Sequence, residues 1–245
     1  MSGSARADFV IRGFPAQLGE GPAPGWQMSL LYYGPTAFMD ELMVHAGALA
    51  GHLTPHPPHR HDHEELHVAL SDHLEQVTRD DESGVERSLP LPRGSVYFTD
   101  SHELHTFRNT GDAPAPYLHL RWRRGSLPTG SRPGLRFFHT GRRDEGEGGR
   151  IPGEAGENRE VYSGPSRYFS RITLRSFTLP PDGWVPLHRH DHEVAFILVE
   201  GAAEILGRRV DAPAIAFMSR QMPHGIHNPG SVPAWLYALE FHPPV

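Results

Sequence analysis

The hexapeptide HRHDHE occurs twice, at 59–64 and at 188–193. Successive residues of a β-strand point to opposite faces, so residues two apart project together. On a strand, His59 and His61 share one face, Glu65 has the same parity, and Leu66, Val68 and Leu70 take the other. A further imidazole, His105, follows the strand-like segment SVYFTD. Three imidazoles and one carboxylate suit Fe(II), Mn(II), Ni(II), Co(II) or Zn(II) and leave coordination positions open. Open positions are what a catalytic metal needs. The expected ligands are therefore His59, His61, Glu65 and His105.

The second copy is unequal. HGIHNPG (224–230) answers HTFRNTG (105–111), so His188, His190 and His224 correspond to the three histidines of the first copy. Val194, however, stands where the first copy has Glu65, and Glu193 has the opposite parity and reaches the same point only through a bulge. This copy is either a three-histidine metal site or a structural unit. Near the first set, His67 shares the parity of Glu65 and is placed for acid–base work. Arg121 is placed to bind a substrate carboxylate or enolate, and Tyr97 and Phe107, on strands flanking His105, to contact substrate. The competing reading makes Tyr97 and Phe107 core and Arg121 an edge charge. His56, His63 and His192 are expected in exposed rim loops. Asn109 and Asn228 are expected to stabilise turns, and Trp122 and Trp235 to pack.

The elements that must position these groups are short and rich in aromatic and β-branched residues: ELHVAL, SVYFTD, APYLHLRW, RITLRSFTL, VAFILVE, AIAFMS and AWLYALEF. Abundant glycine (26) and proline (24) punctuate them. No long segment carries a 3.6-residue apolar stripe, so an all-β chain of antiparallel sheets is expected. The interval from His190 to His224 is ten residues shorter than that from His61 to His105. The difference falls in TRDDESGVERS (78–88), expected as a longer hairpin loop. A repeat of one unit gives the domain plan: 1–124, a Gly/Arg/Glu-rich linker at 125–166, and 167–245. The apolar patch LRFFHT inside that linker is expected to pair with a sheet.

Composition excludes several chemistries. The 245 residues contain no cysteine, and all 23 basic residues are arginine. Disulfides, thiolate catalysis, iron–sulfur clusters, Schiff bases and the phosphate-loop lysine are thereby absent. The net charge of −6 argues against nucleic-acid binding, which rests on phosphate neutralisation. No run of about 18 apolar residues indicates a membrane span, and MSGSARADFV lacks the apolar stretch of a secretory signal. A cytoplasmic location and a small-molecule substrate are expected.

The two copies resemble the cupin superfamily. Its first motif is a histidine pair, a glutamate four residues on and then a glycine; its second is a proline–glycine turn, then a histidine and an asparagine. Here these read HRHDHEELHVALSD with PRG, His105 and Asn109, and HRHDHEVAFILVEG with His224 and Asn228. Asp72 replaces the glycine in the first copy, where Asp tolerates a left-handed turn. The resemblance covers about 50–110 and 180–240. It implies two double-stranded β-helix (jelly-roll) barrels in tandem. The likeness to two-barrel dioxygenases implies Fe(II), O2 as co-substrate and a metal-chelating substrate of aromatic or dicarbonyl type. The alternatives are a redox-neutral isomerase or cyclase, similar to two-barrel isomerases, and a non-enzymatic metabolite-binding cupin. Members of this superfamily pair through edge strands, so a homodimer is expected.

Overall fold

The computed structural model describes residues 9–125, 137–143, 146–150 and 156–244. The described residues form strands and turns and contain no helix, so no helix is long and apolar enough to cross a membrane. The chain divides into two compact units. The N-terminal unit takes 15–33 and 40–142; the C-terminal unit takes the segment up to Phe14, 34–39 and 143–245.

In chain order, β1 (Phe9–Gly13) belongs to the C-terminal unit. The N-terminal unit follows with β2 (Gly19–Glu20), β3 (Trp26–Gly34), β4 (Glu41–Leu49), β5 (Glu64–Ala69), β6 (Leu74–Arg79), β7 (Glu86–Leu91), β8 (Val96–Thr99), β9 (His105–Asn109), β10 (Ala115–Arg123) and β11 (Phe137–His139). Its large sheet runs β11-β8-β5-β10-β4-β3-β2 and its small sheet β7-β6-β9. The C-terminal unit continues with β12 (Glu147–Arg150), β13 (Glu157–Gly164), β14 (Ile172–Leu179), β15 (Trp184–His188), β16 (Glu193–Glu200), β17 (Ala202–Ile205), β18 (Arg208–Asp211), β19 (Ala214–Met218), β20 (His224–His227) and β21 (Ala234–Phe241). Its sheets run β1-β19-β16-β21-β14-β13-β12 and β15-β20-β17-β18.

The unit boundaries differ from the 1–124 and 167–245 of the repeat. The apolar segment FVIRG finds its ladder in the C-terminal unit, where β1 pairs with β19. The span 125–166 is also more than a linker. Within it, β11 pairs with β8 and β13 pairs with β14. Residues 126–136, 144–145 and 151–155 of that span lie outside the described residues. The stretch 78–88 is a hairpin whose ends belong to β6 and β7, with the turn at 80–85.

The central strands have both faces buried: every residue of β5 and of β21 is buried. In the N-terminal unit one face of the large sheet is apolar, with Leu66, Phe98, Leu118, Leu120 and Trp122. The opposite face is polar at the same depth, and pairing fixes its rows. Glu65 lies beside Arg121, and His67 beside His119, which in turn lies beside His45. Tyr117 lies beside Gly47, where a Cβ would sit 2.3 Å from the phenol, so only glycine admits the ring. In the C-terminal unit the corresponding core is apolar, centred on Val194, Phe196, Leu198, Leu236 and Ala238. Each large apolar side chain so buried stabilises the fold by about 1.5–3 kcal/mol.

The two motif asparagines do the same work in each unit. Asn109 donates to the carbonyls of Leu49, Ala50 and Ala113 and accepts from Gly111 N. Asn228 donates to Leu179, Pro180 and Val232 and accepts from Gly230 N. Asp72 is not among the residues with positive φ; its carboxylate instead accepts from Arg93 N at 2.8 Å.

Candidate metal centre

Strand β5 begins only at Glu64, so His59 and His61 are not on it. Pro57 and Pro58 supply no N–H to a ladder, and the chain makes a single bridge, His59 to His105, before entering β5. Strand parity therefore does not govern His59 and His61, contrary to expectation, and it does govern Glu65 and His67. The grouping survives, because the bridge fixes His59 beside His105 through backbone hydrogen bonds of 2.9 and 3.0 Å.

The three rings of His59, His61 and His105 lie 5.0–5.3 Å apart between centroids, and their nitrogens form a group able to hold a metal ion. Glu65, 2% exposed, reaches into it. Its Oε1 is 2.9 Å from His61 Nε2 and its Oε2 is 3.0 Å from His105 Nε2. Oε1 is also 3.2 Å from His119 Nε2. Neither His61 Nε2 nor His119 Nε2 has a hydrogen-bond partner among the described residues. These atoms are close without being aligned as donor and acceptor; they converge on a common region. His105 Nδ1 lies 2.8 Å from the Glu103 carbonyl, which only an N–H can serve, so Nε2 of the neutral ring carries the lone pair. Buried, unpartnered nitrogens around a carboxylate fit a divalent cation.

Electrostatics agree. Burial alone would raise the Glu65 carboxyl, but His119, His105 and His61 together hold it well below its ordinary value. Burial lowers His59 to about 4, helped by His56, His105 and His61. Burial also keeps His45, His67 and His119 below their ordinary values. His105 is the exception: Glu65 and the Glu103 carbonyl outweigh burial and raise it. Neutral imidazole beside ionised carboxylate is the state that binds metal.

The centre opens on a cavity of about 240 Å³ with an apolar wall that includes Trp26, Met28, Met43 and Phe107. Phe107 and Arg121 line it as expected from the sequence, and so does His67. The Arg121 Nε is buried without a hydrogen-bond partner among the described residues, and its nearest acid, Glu41, is 4.0 Å away. Tyr97 does not line the cavity. It packs against the apolar cluster of Leu49, Leu74 and Leu91. His56, expected on an exposed rim, lines the cavity 4.3 Å from the His59 ring. His63 is likewise half-buried and bonds Glu41 at 2.8 Å.

Sequence reasoning missed His45, His119, Trp26 and Tyr117. His119 has the parity of Arg121 in YLHLRW, a signal that was legible. His45 becomes visible only through its pairing with His119. Tyr117 accepts a hydrogen bond from Trp26 Nε1 at 2.7 Å.

In the C-terminal unit His188, His190 and His224 form the matching group. His188 and His224 donate through Nδ1 to the carbonyls of Pro186 and Met222, which places the lone pair of each neutral ring on Nε2. His188 Nε2 lies 2.8 Å from His190 Nε2, and His224 Nε2 is buried without a partner among the described residues. Val194 is buried in the apolar core. His192, expected on an exposed rim, stacks on His190 and faces Glu240 and His242. A cavity of about 460 Å³ adjoins these groups.

No protein-family model matches the chain, and no curated protein sequence matches it. Solved structures do. A structure addressing the Mn(II) centres of Bacillus subtilis oxalate decarboxylase superposes with a TM-score of 0.67 at 14% identity, over 98% of this chain and 78% of that one. The Lactobacillus farciminis oxalate decarboxylase formate complex gives 0.69 at 13% identity, over 98% and 88%. A putative glyoxylate-induced protein from Pseudomonas aeruginosa gives 0.71 at 14% identity, over 98% and 93%. The likeness is one of architecture, and together with the two-sheet units and their histidine groups it shows an all-β cupin fold.

Proposed function

We propose that the chain is a bicupin enzyme using a divalent metal, held by His59, His61, Glu65 and His105, to transform a small metal-chelating anion with dioxygen as co-substrate. The observation that carries this is the convergence of Glu65 with His61 and His105, with Glu65 and His105 lining an apolar-walled cavity. A redox-active ion there would supply Lewis acidity and the electrons of dioxygen chemistry. Fe(II) is the metal this reading favours; Mn(II), which occupies the B. subtilis oxalate decarboxylase, fits the same donors. The cavity, about 240 Å³, is below the roughly 300–1,000 Å³ of sites for drug-sized ligands, which favours a substrate of few atoms. Arg121 binds its carboxylate, and the Trp26 and Phe107 walls exclude water. His188, His190 and His224 hold a second ion.

A redox-neutral lyase or isomerase is the second reading. It is favoured by the stacked, neutral His67–His119 pair beside Glu65, an acid–base pair needing no oxidant. Metal analysis of the purified protein, with oxygen uptake measured on adding oxalate and other small oxo- and dicarboxylates, tests both. Turnover coupled to oxygen consumption supports the first; turnover without oxygen supports the second; an absence of metal under all loading conditions defeats both.

A further inference from the structure

Glu65 serves more than one set of histidines. A second group of potential ligands, Glu65, His67 and His119, has its ligating atoms within 4.8 Å of one another, and its carboxylate also lies 2.9 Å from His61 and 3.0 Å from His105 of the first group. The His67 and His119 rings are parallel, 1° apart in plane and 4.2 Å between centroids. The His45 ring follows at 4.6 Å. All three residues are buried. His67 Nδ1, His119 Nε2 and His45 Nδ1 have no hydrogen-bond partner among the described residues. Deeply buried nitrogens of this kind ordinarily find one. Hydrogen bonding to Glu65 does not supply it: His119 Nε2 is 3.2 Å from Oε1 but out of alignment.

We infer that Glu65 bridges two divalent-metal positions, the first with His59, His61 and His105, the second with His67 and His119. This rests on the metal reading of the first position. Oε2 lies toward His105, and Oε1 is shared, 2.9 Å from His61 and 3.2 Å from His119, so one carboxylate touches both groups; His67 and His119 must turn out of their parallel stack for both nitrogens to meet one ion. Paired ions in dinuclear sites lie about 3.5–4 Å apart, a span one carboxylate covers. Two imidazoles and a carboxylate oxygen select a borderline cation such as Mn(II), Fe(II), Co(II) or Zn(II). The C-terminal unit is the internal control. At the paired register positions of His67 and His119 it carries Phe196 and Ala238, so the inner pair is specific to the N-terminal unit.

The test counts Mn(II) by elemental analysis after equilibrium dialysis, in the full chain carrying His188→Ala and His190→Ala to silence the C-terminal group. The expected count is two per chain, with an exchange-coupled electron paramagnetic resonance signal. Adding His67→Phe and His119→Ala, the pair that the C-terminal unit tolerates, should reduce the count to one and the signal to that of an isolated ion. His119→Gln, a milder change, should do the same, and circular dichroism verifies folding of each variant. A count of one in both the silenced chain and its His67→Phe/His119→Ala derivative overturns the second position and leaves the first. A count of two in both also overturns it, since the second ion then lies elsewhere. A count of zero in the silenced chain overturns the first position and this inference with it.

Discussion

Glu240 stands directly opposite Val194 in the β16–β21 ladder, at the register position where Arg121 faces Glu65 in the β5–β10 ladder. The carboxylate of the C-terminal unit has thus moved to the neighbouring strand. There it is engaged by Arg175 at 3.1 Å and lies 3.4 Å from His242. The His188, His190 and His224 group is left without an anionic member, whereas the N-terminal group includes an ionised one.

Metal affinity should follow that difference. A buried anion among the ligands offsets the charge of a divalent ion, and neutral imidazoles alone do not. Under increasing chelator, a labile fraction should leave first and a tight fraction later. His224→Ala should abolish only the labile fraction, and Val194→Glu should tighten it by about tenfold or more, the scale of a 1.4 kcal/mol gain. Loss of the tight fraction in His224→Ala would reverse the assignment.

Glu65→Gln keeps shape and removes charge. Changes to groups that merely orient metal ligands cost about 10–100-fold in affinity, so loss of the carboxylate itself should weaken N-terminal metal binding by roughly 100-fold or more. Isothermal titration with Mn(II) reads this directly. Unchanged affinity in Glu65→Gln would remove the carboxylate from the ligand set.

The two histidine groups are legible in the sequence because the repeat aligns their members and because residue types carry ligand chemistry regardless of exact backbone path. His59 and His61 show the limit: they were grouped by strand parity, yet they precede the strand and are gathered by the His59–His105 bridge. Glu65 and His67 obey parity, being on β5 itself. His45 was illegible because its role depends on which strand lies beside β10, a long-range pairing that no local pattern encodes. The placement of β1 beside β19 was hidden for the same reason. For Tyr97 the core reading is the one the packing favours, because parity gives a face and not a depth along it.

The metal-free protein should lose stability in mild acid. Burial lowers His224 to about 4, with His188 and His190 adding to the effect, and burial lowers His192 to about 4 as well. Unfolded imidazoles titrate near 6.5. Between those values the unfolded chain binds protons that the folded chain refuses, so stability is retained above about 6.5 and falls as pH drops toward 4. His224, 1% exposed, contributes on the order of 3 kcal/mol across that window. His105 opposes this in part: Glu65 raises it, so its contribution is complete below 6.5 and fades as pH rises through its folded value. Thermal melts of chelator-treated protein from pH 8 to pH 4 should show a falling midpoint, and a flat profile would contradict the burial of these rings.

Glu193, fully buried, anchors the segment 34–39 within the C-terminal unit. Its carboxylate accepts from Thr36 Oγ1 at 2.6 Å, Ala37 N at 2.9 Å, Phe38 N at 3.3 Å and, more weakly, Ser219 Oγ at 3.5 Å. Burial nonetheless raises its pKa, with these donors opposing the rise. Four donors facing the two oxygens of one carboxylate leave no place for an amide: Glu193→Gln turns an NH2 group toward donors on one side and strands them, whichever way it is flipped. Orphaning buried groups in this way costs about 1–3 kcal/mol. Urea unfolding should register that loss, and Thr36→Val should cost less in the Glu193→Gln background than in the wild type, because the shared hydrogen bond is already gone. Strict additivity of the two substitutions would mean that the Thr36–Glu193 bond does not hold this segment in solution.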